Sequence, residues 1–207
     1  MALKIKEEIA IAKRNRGRLE ELTIFDRFFK RTVLKIVPRF VTPNHLTVFR
    51  YLTVPFILFF LFGGYYLYAL ILFFVSVSSD ALDGAVARTR GMVTDWGKIH
   101  DPLADKLLIG SVGAFLVTKH IDIAVILVII IIEAVIIGAA LYRKKKHDKV
   151  VYALLPGKIK MGLQSLALML LLIYSVYHFS PLLLFAEASL YAAIFFALVS
   201  LFIYRSA

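Results

Sequence analysis

Cysteine is absent from this 207-residue chain. That excludes disulfides, thiolate metal ligands and a cysteine nucleophile. Acid is scarce: 14 Asp and Glu stand against 25 Lys and Arg, a formal net charge of +11. Polar residues of any kind are few, since 60% of the chain is hydrophobic and its mean hydropathy is +0.81. A soluble domain is only about half apolar. The excess of Leu, Ile, Val and Phe therefore points to a bilayer rather than to a larger soluble core. On such a chain the positive charge reads as Lys and Arg at the cytoplasmic membrane face, and no nucleic-acid partner is expected. The opening "MALKIKEEIAIAKRNRGR" has no uninterrupted apolar core, so a cleaved signal peptide is not expected. There is no obvious internal repeat and no sign of a second soluble domain.

What the chain does have is apolar runs of about 20 residues, the length of a membrane-spanning helix. Six are expected, near 46–64, 65–87, 102–119, 121–142, 160–179 and 182–204. The links "GGYY", "KHID" and "HFSP" are so short that the helices they join must run antiparallel. The segment before the first span carries eleven Lys and Arg from Lys4 to Arg39, and the link after the fourth carries Arg143, Lys144, Lys145, Lys146, Lys149 and Lys158. The three opposite links share only Lys119. Short positive loops stay inside. Both termini, the link around residues 88–101 and the 143–160 link are therefore expected on the cytoplasmic side of the cell membrane.

The expected architecture is an all-α integral membrane protein: an N-terminal segment over 1–42 and a six-helix membrane domain over 43–207. Within the first, Phe25, Phe29, Val33 and Ile36 fall at helical spacing, with Arg27, Lys30, Arg31 and Lys35 largely elsewhere. That pattern suits an amphipathic helix lying in the headgroup region. A short cytoplasmic helix packed on the loops is the alternative.

The scarce acid is concentrated. "SSDALDGAVARTRGMVTDWGKIHDPLADK", Ser78 to Lys106, holds five of the aspartates. Asp80 and Asp83 are three apart and share a helix face; Asp101 and Asp105 are four apart and share another. The intervening "RGMVTDWGKIHDP" turns the chain back, with Pro102 expected in the first turn of the next helix. Two antiparallel helices would then bring four carboxylates together. Such a cluster repels itself unless a cation compensates. Oxygen ligands without His or Cys suit Mg²⁺, Mn²⁺ or Ca²⁺, and two divalent ions on shared carboxylates serve phosphoryl displacement. Gly84, Ala87 and Gly97 leave room for a ligand against bare backbone, and Arg88 could fork onto phosphate oxygens. The plainer alternative is that the acids solvate a loop or pair with Arg88, Arg90, Lys98 and Lys106.

Asp80-x₂-Asp83-Gly84-x₂-Ala87-Arg88-x₈-Gly97-x₃-Asp101-x₃-Asp105 resembles the signature of the CDP-alcohol phosphotransferase family at every fixed position. The resemblance extends to six spans, an N-terminal interfacial helix and cytoplasmic termini. It implies an enzyme that joins an alcohol to a CDP-linked lipid and releases CMP, commonly as a homodimer. It implies that Asp80, Asp83, Asp101 and Asp105 hold two Mg²⁺ or Mn²⁺ ions. Asp105 would also be the catalytic base on the acceptor hydroxyl. Asp80, Gly84, Ala87, Arg88 and Gly97 would bind the CDP group.

"DPLADK" at 101–106, "PNHLTVFR" at 43–50 and "GKIKMGLQ" at 157–164 look most like phosphatidylglycerophosphate synthases, which act on CDP-diacylglycerol and glycerol 3-phosphate. Arg143, Lys158 and Lys160 are then the candidate cations for the acceptor phosphate; each could equally be a positive-inside anchor. Glu133, an acid inside an apolar run, is expected to face the acceptor cavity or to pair with a Lys of span 5. One departure stands out. Those synthases usually carry Arg just before this Glu and again two turns on; here the positions are Ile132 and Ala140. Phosphatidylglycerol, giving cardiolipin, and an inositol phosphate are the alternative acceptors.

Two readings from other classes compete. A divalent-cation transporter would hold its acids near mid-membrane, whereas here only Glu133 lies mid-span. A lipid-binding scaffold would use the basic N-terminal segment but leaves the aspartates unexplained. His45, His100, His120, His147 and His178 have no metal-ligand spacing and read as local structure or exposed link residues. Trp96 reads as an interface anchor.

Overall fold

A computed structural model describes residues 41–90, 92, 94–147 and 155–206. The expected interfacial helix over 24–37 lies outside the described residues. Among the described residues six α-helices follow in order: α1 Pro43–Phe62, α2 Tyr66–Arg90, α3 Asp95–His120, α4 Ile123–His147, α5 Leu155–Tyr177 and α6 Ser180–Ser206. They reproduce the six expected runs, with α3 starting seven residues earlier than the apolar pattern suggested.

Local chemistry sets the helix ends. Thr42 caps α1: its carbonyl and hydroxyl oxygens lie 3.1 and 3.4 Å from the His45 N–H, and Pro43 takes the first helical position, where no N–H is needed. At the other end Gly64 adopts φ +75°, the Gly64 N–H donates to Leu61 and the Tyr65 N–H to Phe60. That is the paired bonding of a Schellman motif, and glycine supplies the left-handed residue it needs. His178 takes the same role after α5 with φ +54°, donating to the Tyr174 carbonyl. Asp122 caps α4, its carboxylate accepting the Ala124 N–H at 2.8 Å.

Thr94 caps α3, accepting the Gly97 N–H at 3.0 Å. This cap explains the early start: the polar "DWGKIH" is helix, not turn. It also corrects the expectation for Pro102, which lies inside α3 rather than in its first turn. The amide proton that would bond the carbonyl four residues back is missing there.

Among the described residues, four helices contain stretches long and apolar enough to cross a membrane: Pro43–Phe62, Tyr66–Gly84, Leu155–Tyr177 and Ser180–Phe202. α4 adds the shorter apolar stretch Ile123–Gly138. α3 is polar through its first three turns and apolar after Lys106. This is a multi-pass, all-α membrane protein.

The chain divides into two compact units: Met1–Leu52 with Ser76–Asp105, and Thr53–Val75 with Lys106–Ala207. In the second unit α5 packs along α6, and α4 touches α6. Its core is apolar, with Ile57, Phe73, Val112, Leu116, Leu168 and Leu171 fully buried. Large side chains also face outward, among them Phe56, Phe59, Phe74, Phe185 and Phe195. In water such a surface is a liability; against lipid chains it carries no penalty. The first unit has a different interior, where the buried side chains include Thr47, Arg50 and Asp83.

Candidate active site

The first unit is organised around the signature. α2 carries Asp80 and Asp83, and α3 carries Asp101 and Asp105. Both pairs are met by α1, whose Asn44, Thr47, Arg50 and Tyr51 recur at three- and four-residue spacing and so lie on one face.

Arg50 is the centre of the arrangement. Its side chain is 0% exposed. Nη1 donates to Asp105 Oδ1 and lies 3.1 Å from Asp80 Oδ1; Nη2 donates to Asp83 Oδ2. One planar guanidinium thus bridges three carboxylates from two helices, which its fixed fork of donors permits and a lysine could not match. Asp83 and Asp105 are well enclosed, while the Asp80 side chain remains 46% exposed and opens the cluster outward. The fourth acid, Asp101, accepts the hydroxyl proton of buried Thr47.

A second chain of contacts fixes the start of α3. The Thr94 hydroxyl donates to Asn44 Oδ1 at 2.8 Å, while its oxygen caps the Gly97 N–H. A Cβ at Gly97 would sit 3.1 Å from Thr94 Oγ1, 3.3 Å from Asp101 Oδ2 and 3.4 Å from Asn44 Oδ1. Glycine here lets the helix start and the Asp101 carboxylate close on one another. Tyr51 donates to the His100 carbonyl at 3.1 Å, and the His100 ring stacks on Trp96 with centroids 4.1 Å apart. His100 is therefore held by packing. Gly84 lies on α2 next to Asp83, and Ala87 and Arg88 follow on the same helix with side chains outside the described residues.

The remaining candidates belong to the second unit. Lys160 of α5 is buried and its ammonium pairs with Glu133 of α4. Glu133 also lines a narrow crevice with Ile129, Ile132, Gln164, Ala193, Ile194 and Ala197. Of the two expectations for Glu133, the lysine of span 5 is the one the structure shows, and that lysine is Lys160. Lys158 is exposed. Arg143 is on α4 with its side chain outside the described residues.

The model of the CDP-alcohol phosphatidyltransferase family matches residues 40–202. The chain belongs to this family. Similar proteins include one from Bacillus subtilis named CDP-diacylglycerol–glycerol-3-phosphate 3-phosphatidyltransferase. It is 36% identical over 133 residues, covering 63% of this chain and 67% of the relative. A Rickettsia typhi protein of the same name is 33% identical over 137 residues, 64% of this chain and 76% of its own. One from Wigglesworthia glossinidia brevipalpis is 30% identical over 171 residues, 78% and 91% respectively.

For this family member the donor set decides what the site can hold. Four carboxylates and a threonine hydroxyl, all oxygen, suit a hard divalent cation. Three of the carboxylates already converge on a single cationic group. Among the described residues no set of three or more acidic or histidine side chains stands in ready metal-ligand geometry. The space between Asp80, Asp83 and Asp105 is bridged by Arg50 instead. One guanidinium balances only one of four formal negative charges, so the cluster fits further cations.

Arg50 was not among the sequence candidates. Its signal was available: an arginine inside an apolar span must have an acidic partner.

Proposed function

We propose that the chain transfers the phosphatidyl group of CDP-diacylglycerol to glycerol 3-phosphate, forming phosphatidylglycerol phosphate and CMP. The observation that carries this reading is the gathering of the four signature aspartates in one unit of a chain that belongs to the family. The names of its relatives support the acceptor.

In the proposed reaction the Asp105 carboxylate takes the proton of the acceptor hydroxyl. That oxygen attacks the lipid-bearing phosphorus of the diphosphate, and the bond from this phosphorus to the CMP oxygen breaks. CMP leaves with the bonding electrons, in one displacement without a covalent enzyme intermediate. Asp80, Asp83, Asp101 and Asp105 would hold two Mg²⁺ or Mn²⁺ ions, which supply charge stabilisation at the diphosphate. Asp80, Gly84, Ala87, Arg88 and Gly97 form the CDP side of the site, with Arg88 on the diphosphate. Thr47 orients Asp101 through its hydroxyl. Arg143, Lys158 and Lys160 are the proposed acceptor-phosphate cations, with Glu133 orienting Lys160. The basic segments support a cytoplasmic location for this chemistry and both termini, and a homodimer is the proposed assembly.

A second reading keeps the chemistry and changes the acceptor to phosphatidylglycerol or an inositol phosphate. It is favoured by Ile132 standing where an arginine is usual, and by Glu133 engaging the Lys160 charge.

The test is CMP release from CDP-diacylglycerol by purified protein with Mg²⁺, offered each acceptor separately. Release with glycerol 3-phosphate alone supports the first reading; release only with another acceptor selects the second. Asp105→Asn should lower release by roughly 100-fold or more with the protein folded and membrane-inserted. Retained turnover in that variant removes the base assignment.

A further inference from the structure

The Arg50 arrangement has no part in the chemistry above, yet it uses the carboxylates that the metal needs. Nη1 is shared by Asp80 and Asp105, and Nη2 is bonded to Asp83. Arg50 is fully buried, and a guanidinium stays protonated even there. It is therefore a permanent cation fixed among the proposed metal ligands, and it arrives from a different helix, α1.

Two consequences follow from charge alone. Without metal, Asp83 and Asp105 are largely buried acids that would repel each other and Asp80. An internal cation removes much of that repulsion, so the site keeps its shape. With metal, each oxygen that donates to an ion ceases to be a full acceptor for Arg50, and like charges are brought close. The guanidinium and the ion thus compete for the same oxygens. Asp101 has a partner of another kind, the neutral Thr47 hydroxyl.

We propose that Arg50 is a resident counter-cation of the aspartate cluster. It preassembles the carboxylates in the metal-free protein and sets metal affinity by competing for Asp80, Asp83 and Asp105. It is a positioning residue that acts through these acids. The inference rests on the metal reading given under Proposed function, and it goes beyond it by assigning a competitor.

The experiment is a titration of detergent-purified, EDTA-stripped full-length protein with Mn²⁺, counting free ion by electron paramagnetic resonance, alongside thermal unfolding in EDTA. Wild type, Arg50→Gln and Arg50→Lys are compared. Arg50→Gln should unfold at lower temperature in EDTA yet bind Mn²⁺ roughly tenfold more tightly, the effect of about 1.4 kcal/mol of lost competition. Arg50→Lys keeps the charge but cannot bridge as a fork, so its affinity should fall between the other two. A merely structural arginine would lower stability and leave Mn²⁺ affinity unchanged or weaker, and either result in Arg50→Gln overturns the proposal. Should Arg50→Gln fail to fold, Arg50→Lys decides by the same sign: tighter binding than wild type supports competition, and equal or weaker binding overturns it. Wild-type protein that binds no Mn²⁺ overturns the metal reading itself, a result distinct from an Arg50 variant that leaves binding unchanged.

Discussion

Arg50 on α1 and Asp83 on α2 form an ion pair away from solvent, with side-chain exposures of 0% and 6%. Removing one partner of such a pair leaves the other charge buried, at a cost of about 3–5 kcal/mol. Arg50 keeps Asp80 and Asp105, which softens the loss. Asp83→Asn in EDTA should therefore destabilise the protein by about 2 kcal/mol, read as a lower midpoint of thermal unfolding in detergent. An unchanged midpoint would mean that the pair contributes nothing to the fold.

Gly97 makes a steric prediction. A Cβ there would press on Thr94, Asn44 and Asp101 at 3.1 to 3.4 Å. Gly97→Ala should shift the Asp101 carboxylate and reduce CMP release several-fold, with expression and membrane insertion preserved. Gly97→Val should be worse, because its branches have no room. Wild-type activity in Gly97→Val would show that this close approach is not needed.

Glu133 and Lys160 carry a thermodynamic cycle. Glu133→Gln and Lys160→Met should each destabilise by about 3 kcal/mol, because each leaves an unpaired charge in a buried setting. The double variant should lose less than the sum, and the difference reports the coupling. Kinetics separate a second role. If Lys160 also meets the acceptor phosphate, Lys160→Met raises KM for that acceptor more than it lowers kcat.

His120 gives a pH dependence in the second unit. Its Nε2 lies 2.9 Å from Ser175 Oγ. Burial pushes the imidazole below its usual range, and the Lys119 and His178 charges push the same way. The folded protein thus disfavours protonated His120 relative to the unfolded chain. Stability from this residue is present above the ordinary histidine range, near pH 6.5, and declines as pH falls below it. His120→Gln should flatten the unfolding midpoint between about pH 5 and 7. An identical pH profile in the variant would remove this contribution.

Much of this was legible in the sequence because it is local. Helix spans follow from apolar runs, and three of their ends are set by capping bonds of Thr42, Gly64 and Asp122 that reach only two or three residues. The pairing of Asp80 with Asp83 and of Asp101 with Asp105 follows from helical period alone. The start of α3 was misjudged because a hydropathy pattern sees apolar residues, whereas the helix begins at a polar cap.

What only the tertiary structure decided is which distant residues meet. Arg50 and Asp105 are 55 positions apart, and Lys160 and Glu133 are 27 apart. A membrane span is apolar on every face, so its periodicity does not reveal which side turns inward or which basic residue serves an acid. The sequence determined that four carboxylates need a cation. The fold decided that Arg50 is one such cation, because α1 presents its fixed charge to both acidic faces at once.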